Sequence, residues 1–233
     1  MPSAEPGLLE ARRITRRYGR TAVLGGVDLS IGAGECLLIA GPNGTGKSTL
    51  LRILAGLTRP DGGSVRLGGV PVVEARGRLG YLGHETFLYD DLTVAENLTF
   101  AMRLQGCDVP GALGAVLARA ELLPHRDRLV RHLSRGLAQR AALARALIHS
   151  PPVVLLDEPF TGLDAASAAA LTSVLIEMRT AGVAIILVGH RAEEGWDAVT
   201  RVAVLANGGW VHEGPRPATV PEFEERVREV LRG

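Results

Sequence analysis

The sequence predicts an α/β domain, a core of buried strands and helices interrupted by a helical subdomain. Three observations carry this. Continuous apolar runs of strand length recur at Cys36–Ala40, Val153–Leu156 and Ala184–Val188, as in strands covered on both faces. Stretches at helical spacing, residues 47–57 and 165–180, lie between them. From about Val94 to Ser150 the chain turns mainly helical, rich in Ala, Leu and Arg.

In chain order, residues 8–40 read as short strands with turns at Tyr18-Gly19-Arg20 and Gly32-Ala33-Gly34. A glycine-rich turn after Ala40 leads into a helix from Lys47 to Leu57, which Thr58-Arg59-Pro60-Asp61-Gly62-Gly63 ends with strong turn chemistry. Pro110-Gly111, Pro124 and Gly136 punctuate the central helical stretch. The strands return around the helix 165–180, and Val202–Leu205 with Gly209-Trp210-Val211 forms a hairpin across Asn207-Gly208. Pro221 to Leu231 reads as a short amphipathic closing helix. With no internal repeat, one domain is expected over 1–233. Its core covers about 1–83 and 151–213, its helical subdomain about 84–150, and its closing helix about 221–231.

Composition narrows the function. A chain of 233 residues, 46% hydrophobic, supports a substantial core. Its net charge of +1 gives no field that would attract nucleic acid or an anionic membrane. Cys36 and Cys107 stand alone with no metal or disulfide spacing, which fits a reducing compartment. No apolar run approaches the ~18–20 residues that cross a bilayer, and Met1 to Glu5 lacks a signal peptide's charged and apolar regions. The expectation is a soluble protein that stays where it is made. Of the 26 basic residues only Lys47 is lysine. Genome composition accounts for such a bias, yet it also suggests that position 47 needs a compact ammonium rather than a forked guanidinium.

Lys47 lies in Gly41-Pro42-Asn43-Gly44-Thr45-Gly46-Lys47-Ser48, which fits G-x-x-x-x-G-K-[ST] between a buried strand and a helix. Glycines let the backbone N–H groups curl toward phosphate oxygens, and the helix dipole adds positive charge. Lys47 is expected to reach the β- and γ-phosphates, and the Ser48 hydroxyl to ligate Mg²⁺. Gly41 through Ser48, with Thr49, form the expected ATP-binding segment. At the end of the strand Val153–Leu156, Asp157 can hold Mg²⁺ beside Ser48. Glu158 can orient or deprotonate the attacking water. Two acids after a strand also suit a helix cap, but Pro159 follows at once. A guanine-reading N-K-x-D is excluded by the single lysine.

Leu133-Ser134-Arg135-Gly136-Leu137-Ala138-Gln139-Arg140 resembles the ABC signature L-S-G-G-Q-x-Q-R. With the phosphate loop, Leu155-Leu156-Asp157-Glu158-Pro159 and Gly162-Leu163-Asp164 in family order, the chain resembles an ABC ATPase from about Leu9 to Trp210. The resemblance implies a P-loop NTPase cassette: a RecA-like mixed sheet core, an N-terminal antiparallel β subdomain and an inserted helical subdomain. It also implies two cassettes, expected to be a homodimer, sandwiching two ATP molecules. Ser134, Arg135, Gly136 and Asp164 would then contact ATP bound to the partner, with Ser134 and the Gly136 N–H at its γ-phosphate. Arg135 replaces a glycine, and either adds charge near the phosphates or faces solvent. Leu137 replaces a glutamine and loses an amide contact. Tyr18 would stack on adenine, and His190 would contact the γ-phosphate. Arg191 stands where an aspartate is common, with no mechanism attached.

His84 stands where most family members have a glutamine that touches Mg²⁺ or the attacking water and faces the membrane partner. Imidazole can donate, accept or bind metal, so His84 is expected in both the catalytic and the metal set; a packed histidine is the alternative. The aromatic residues Tyr81, Phe87 and Tyr89 cluster around it. The resemblance places docking of a transmembrane subunit near His84 to Leu92, and Phe87, Leu88 or Tyr89 is expected to be exposed. Gly83-His84-Glu85, Glu96-Asn97-Leu98, the L-S-R-G-x-x-Q-R segment from Leu133 to Arg140 and the Asp157–Asp164 run also resemble the ATPase of the haem exporter in bacterial cytochrome c maturation. Another small exporter or an importer remains the alternative. No haem-binding pattern occurs, so direct haem binding is not expected. The implied location is the cytoplasm, peripheral on the inner face of the cell membrane. A soluble relative acting on DNA or ribosomes fits poorly, since no long coiled coil and no second cassette are present.

Overall fold

The computed structural model describes residues 7–189 and 193–232. Among these residues, ten strands and seven α-helices follow in chain order: β1 (Leu9–Tyr18), β2 (Thr21–Ile31), β3 (Cys36–Ala40), α1 (Lys47–Leu54), β4 (Gly62–Leu67), β5 (Val70–Pro71), α2 (Val72–Ala75), β6 (Leu79–Leu82), α3 (Val94–Leu104), α4 (Ala112–Arg119), α5 (Arg135–Leu147), β7 (Val153–Asp157), α6 (Ala165–Thr180), β8 (Ala184–Val188), β9 (Arg201–Ala206), β10 (Gly209–Pro215) and α7 (Val220–Arg232).

The strands form two sheets. An antiparallel sheet has the order β2-β1-β4-β5, and a mixed sheet has the order β10-β9-β3-β8-β7-β6. In the mixed sheet β9, β3, β8, β7 and β6 run parallel, and β10 closes one edge antiparallel to β9. Both faces of the parallel strands are covered, which is why they read as unbroken apolar runs. Leu37, Ile39, Leu155 and Ile186 point to one face, where they meet Leu50 and Leu54 of α1 and Leu9, Ile14 and Leu24 of the antiparallel sheet. Leu38, Val154, Leu156 and Leu187 point to the other, against Leu171 and Leu175 of α6, Phe223 of α7, and Trp196 in the turn before β9. The Trp196 and Phe223 rings lie 5.6 Å apart, which fastens the closing helix to this layer.

The sheets are also tied by polar contacts. The Gly25 N–H donates to Gly208 O at 2.7 Å, and Trp210 Nε1 donates to Asp28 O at 2.6 Å. The hairpin between β9 and β10 turns at Asn207 and Gly208, both at positive φ (52° and 78°), as a tight two-residue turn requires.

α3, α4 and α5 gather around a separate small core of Val94, Leu98, Leu117, Leu122 and Ala141. α3 starts with a capping box, in which Thr93 accepts from the Glu96 N–H and Glu96 returns a carboxylate to the Thr93 N–H. Two details depart from the sequence reading. α1 ends at Leu54, not Leu57: Gly56 at φ 68° lets Leu57 N–H reach Arg52 O (2.9 Å) and Gly56 N–H reach Ile53 O (3.0 Å), a Schellman closure. Gly136 does not interrupt the helical stretch but sits in the first turn of α5.

Cys36 is fully buried, which pushes its thiol up to about 12 and leaves it inert packing.

Candidate functional site

The glycine-rich loop connects the end of β3 to α1, at the carboxyl edge of the parallel strands. Two of its glycines are required by geometry. Gly41 has φ 141°, and a Cβ there would lie 2.2 Å from the Leu205 carbonyl oxygen. Gly46 has φ 102°, and a Cβ would lie 2.6 Å from Val23 Cγ1. Thr45 Oγ1 donates to Pro42 O at 3.0 Å and tightens the loop. Pro42, Asn43 and Gly44 are exposed at its tip. Gly46 provides no side-chain cap to α1. The orphan N–H groups of that helix, together with its positive dipole end, are therefore suited to an anion.

Lys47 is 6% exposed, and its ammonium donates to Gly41 O (2.7 Å) and Pro42 O (2.8 Å). Burial lowers its pKa, while the negative charges of Glu158 and Asp157 act in the opposite direction. A compact ammonium can sit between two carbonyls of one loop, where a planar fork would not close. Ser48 is exposed and Thr49 partly buried on the first turn of α1.

Asp157, the last residue of β7, is 3% exposed. Burial raises its pKa; the Ser48 hydroxyl lowers it, Glu158 raises it, and His84 and Lys47 lower it. Its Oδ1 has no hydrogen-bond partner among the described residues. A buried carboxylate with a bare oxygen, a serine hydroxyl beside it and an imidazole in electrostatic reach is a donor set that fits Mg²⁺.

Glu158 adopts φ 51°, a left-handed conformation that costs a non-glycine residue of order 1–3 kcal/mol. Its N–H donates to Val188 O at 2.8 Å, and Thr161 Oγ1 donates to its Oε2 at 3.3 Å. The turn swings the carboxylate off the strand. His84 is exposed just beyond β6, and His190 and Arg191 lie outside the described residues.

Tyr18 ends β1 and is 51% exposed. The Arg16 guanidinium covers its ring at 4.8 Å from the centroid and is itself fixed by Asp61 (2.9 Å) and Arg59 O (3.2 Å).

Ser134 is the exposed N-cap of α5, its Oγ accepting from the Leu137 N–H at 3.4 Å. The stem of the exposed Arg135 lies against Gly162, and Gly136 faces the Gly162 carbonyl. Asp164 caps α6 by accepting from the Ser167 N–H at 2.8 Å, which holds its carboxyl below the usual range. The fold thus gathers Ser134, Arg135, Gly136 and Asp164 around Gly162. Sequence reasoning missed Arg16 behind Tyr18, and it missed two α5 side chains that grip this segment. Gln139 Nε2 donates to Pro159 O (3.1 Å), and Arg140 donates to Ser167 Oγ (2.7 Å) and Glu121 Oε2 (2.6 Å). Both lay inside the signature, but only as part of its spelling.

The family described as ABC transporter matches residues 24–161. The molybdenum import ATP-binding protein ModC of Mycobacterium tuberculosis is 40% identical over 210 residues, 81% of this chain and 56% of its own length. The Nod factor export ATP-binding protein I of Cupriavidus pinatubonensis is 36% identical over 214 residues, 89% of this chain and 66% of its own length. The chain thus spans a little over half to two thirds of these relatives. A dimeric ATP-binding cassette in a post-hydrolysis state, bound to ADP and Pi, superposes with a TM-score of 0.83 at 25% identity, covering 91% of this chain and all of its own. A glycine-rich loop, a buried aspartate followed by Glu158, and the signature-like helix stand together on one cassette fold, and with these relatives they establish that the chain belongs to the ABC transporter family.

Proposed function

We propose that this chain is the motor subunit of an ABC transporter, hydrolysing ATP as a two-fold homodimer beneath separate membrane-spanning subunits. The observation that carries the reading is the convergence of Lys47, Ser48, Asp157 and Glu158 beside the phosphate loop. Tyr18, backed by Arg16, stacks on adenine. The loop N–H groups from Gly41 to Ser48 take phosphate oxygens, and Lys47 exchanges its two loop carbonyls for the β- and γ-phosphates. Ser48 and Asp157, with His84 beside them, would hold the metal. The chemistry such a metal would supply there is neutralisation of phosphate charge. Glu158 accepts a proton from the water that attacks the γ-phosphorus, leaving ADP and Pi. Ser134, Gly136 and Asp164 of the second copy complete each site, with His190 at the γ-phosphate. Dimerisation is supported by the dimeric state of the similar solved cassette.

The membrane partner is assigned to a groove of about 350 Å³ that joins the core to the helical subdomain. Phe87 and Tyr89 on its rim are 48% and 55% exposed, so the expected exposure holds for two of the three residues. Leu88 packs inward. Tyr89 meets Phe100 edge-on at 5.4 Å, and Arg76 and Arg145 are the charged residues of the lining. Such aromatic anchors suit an inserted helix. No helix among the described residues is long and apolar enough to cross a membrane, so on this reading the pore belongs to other chains and the cassette sits peripherally on the inner face.

The cargo is the finer question. Haem export for cytochrome c maturation rests on the short motifs around His84, Glu96, Leu133–Arg140 and Asp157–Asp164, whereas the relatives above are named for Nod factor export and molybdenum import. The proposal therefore stands at the level of a transport ATPase, with haem export as its narrower form. Co-purification with the membrane proteins of cytochrome c maturation, rather than those of another transporter, decides it.

Hydrolysis is tested by Glu158→Gln. The variant is expected to bind MgATP nearly normally, to turn over at least roughly 10²-fold more slowly, and to accumulate as an ATP-bound dimer. Wild-type turnover would remove Glu158 from the mechanism.

A further inference from the structure

The turn that carries Glu158 is held from two sides. On the core side its N–H is bonded to the end of β8, through Val188 O at 2.8 Å. On the other side stands α5, whose N-cap is Ser134. Five residues along, Gln139 sends its amide to Pro159 O at 3.1 Å, so the Pro159–Phe160 peptide, one residue past Glu158, hangs from the signature helix. Its neighbour Arg140 bonds Ser167, the residue whose N–H caps onto Asp164. The two side chains thus span the segment from Pro159 to Ser167. Between those points the Arg135 stem covers Gly162, itself at φ 81°.

Glu158 needs such holding. Its left-handed φ of 51° is disfavoured for a side chain with a Cβ and persists only where the surroundings over-determine it. Beside the turn's own bond from Thr161 N–H to Glu158 O (3.1 Å), two contacts reach it from other elements, and of these Val188 O belongs to a strand fully inside the core, which cannot move independently of it. The Gln139 amide belongs to α5, which packs both on the small core of the helical subdomain, through Ala141 and Ala144, and on the sheet, through Ala142 and Ala146. The aim of the Glu158 carboxylate, which also accepts from Thr161 Oγ1, is thereby coupled to α5.

We propose that Gln139 is a positioning residue for hydrolysis. Its hydrogen bond to Pro159 O sets the left-handed turn at Glu158, and through it the signature helix governs whether the carboxylate faces the attacking water. This deepens the proposed function and rests on Glu158 as the base.

The test is a double-mutant cycle on the full chain, measured as steady-state and single-turnover ATP hydrolysis at saturating Mg²⁺. Gln139→Leu keeps volume and removes the donor. It is expected to lower kcat roughly tenfold with KM for ATP within about twofold, as for an interaction used in the transition state. Gln139→Lys, which restores an N–H donor, is expected to recover most of the rate. In the Glu158→Gln background, Gln139→Leu is expected to cost less than about twofold more, because the group it positions is gone. A part played only in folding would instead lower kcat equally in both backgrounds and would not be rescued by lysine. Unchanged kcat in Gln139→Leu, or an equal loss in both backgrounds, overturns the proposal. If Gln139→Leu fails to fold, Gln139→Met is read in its place by the same criteria. Wild-type turnover in Glu158→Gln alone refutes the base assignment instead, which separates the two failures.

Discussion

Asp157 is a place where the requirements of folding and of the proposed chemistry oppose each other. Its carboxylate is 3% exposed and one oxygen has no partner among the described residues. A buried polar group left unsatisfied costs about 1–3 kcal/mol. Ser48, Lys47 and His84 offset part of this, yet burial prevails and the pKa ends raised. Asp157→Asn removes the charge in a side chain of the same shape. We therefore expect it to stabilise the nucleotide-free chain by about 1–2 kcal/mol, or roughly 2–8 °C in Tm for a domain of this size. The sign with pH follows. A group whose folded pKa is raised contributes stability that is present below about pH 4 and is lost as pH rises through the folded value. The gain from Asp157→Asn should accordingly be near zero in acid and complete by neutral pH. With Mg²⁺ and ATP the order should reverse. At a free ligand concentration 100 times Kd, wild type gains about 2.7 kcal/mol, and the variant should lose the part of that gain that depends on Mg²⁺. The assay is thermal unfolding with ATP in Mg²⁺ or in chelator. A variant less stable than wild type without nucleotide, or one with the full Mg²⁺ increment, would refute the reasoning.

Two further outcomes test the shared site and the docking groove. Mixing a Lys47→Ala chain with a Ser134→Arg chain should restore some ATPase activity that neither parent shows, since one of the two composite sites then keeps both elements; parents that are each fully active exclude the shared-site arrangement. Tyr89→Asp should abolish capture of the membrane partner while ATP affinity and Tm stay within error, because Tyr89 is more than half exposed; retained capture would move the interface elsewhere.

The limits of β3, α6 and β8 were legible because both-face burial writes an unbroken apolar run, and because Asp164 and Gly182 bracket the helix between them. α1 was overread because Leu57 keeps helical spacing, while the backbone bonds that close the helix around Gly56 have no signature in the pattern of apolar residues. The phosphate loop was legible for a local reason, since each glycine answers to its own φ or its own near neighbour. The support beneath Glu158 was not. Gln139 and Pro159 meet across two subdomains, and nothing local to either residue announces the contact. Arg16 was missed for a related reason, since it reaches Tyr18 over two residues of strand but takes its own anchor from Asp61.

The contact of Gly46 with Val23 has a metrical consequence. Val23 lies in β2, the strand paired with β1, which ends at Tyr18. The same stretch of β2 is fastened to the hairpin turn at Gly208. Tyr18 and the glycine-rich loop are therefore mounted on a single stiff frame, like the two jaws of a caliper with its screw tightened. On the proposed reading, selection then acts on the length of the ligand as well as on its chemistry. A molecule that reaches both jaws with a planar ring at one end and a phosphate at the other is held at both; a shorter one satisfies one jaw and forfeits the second.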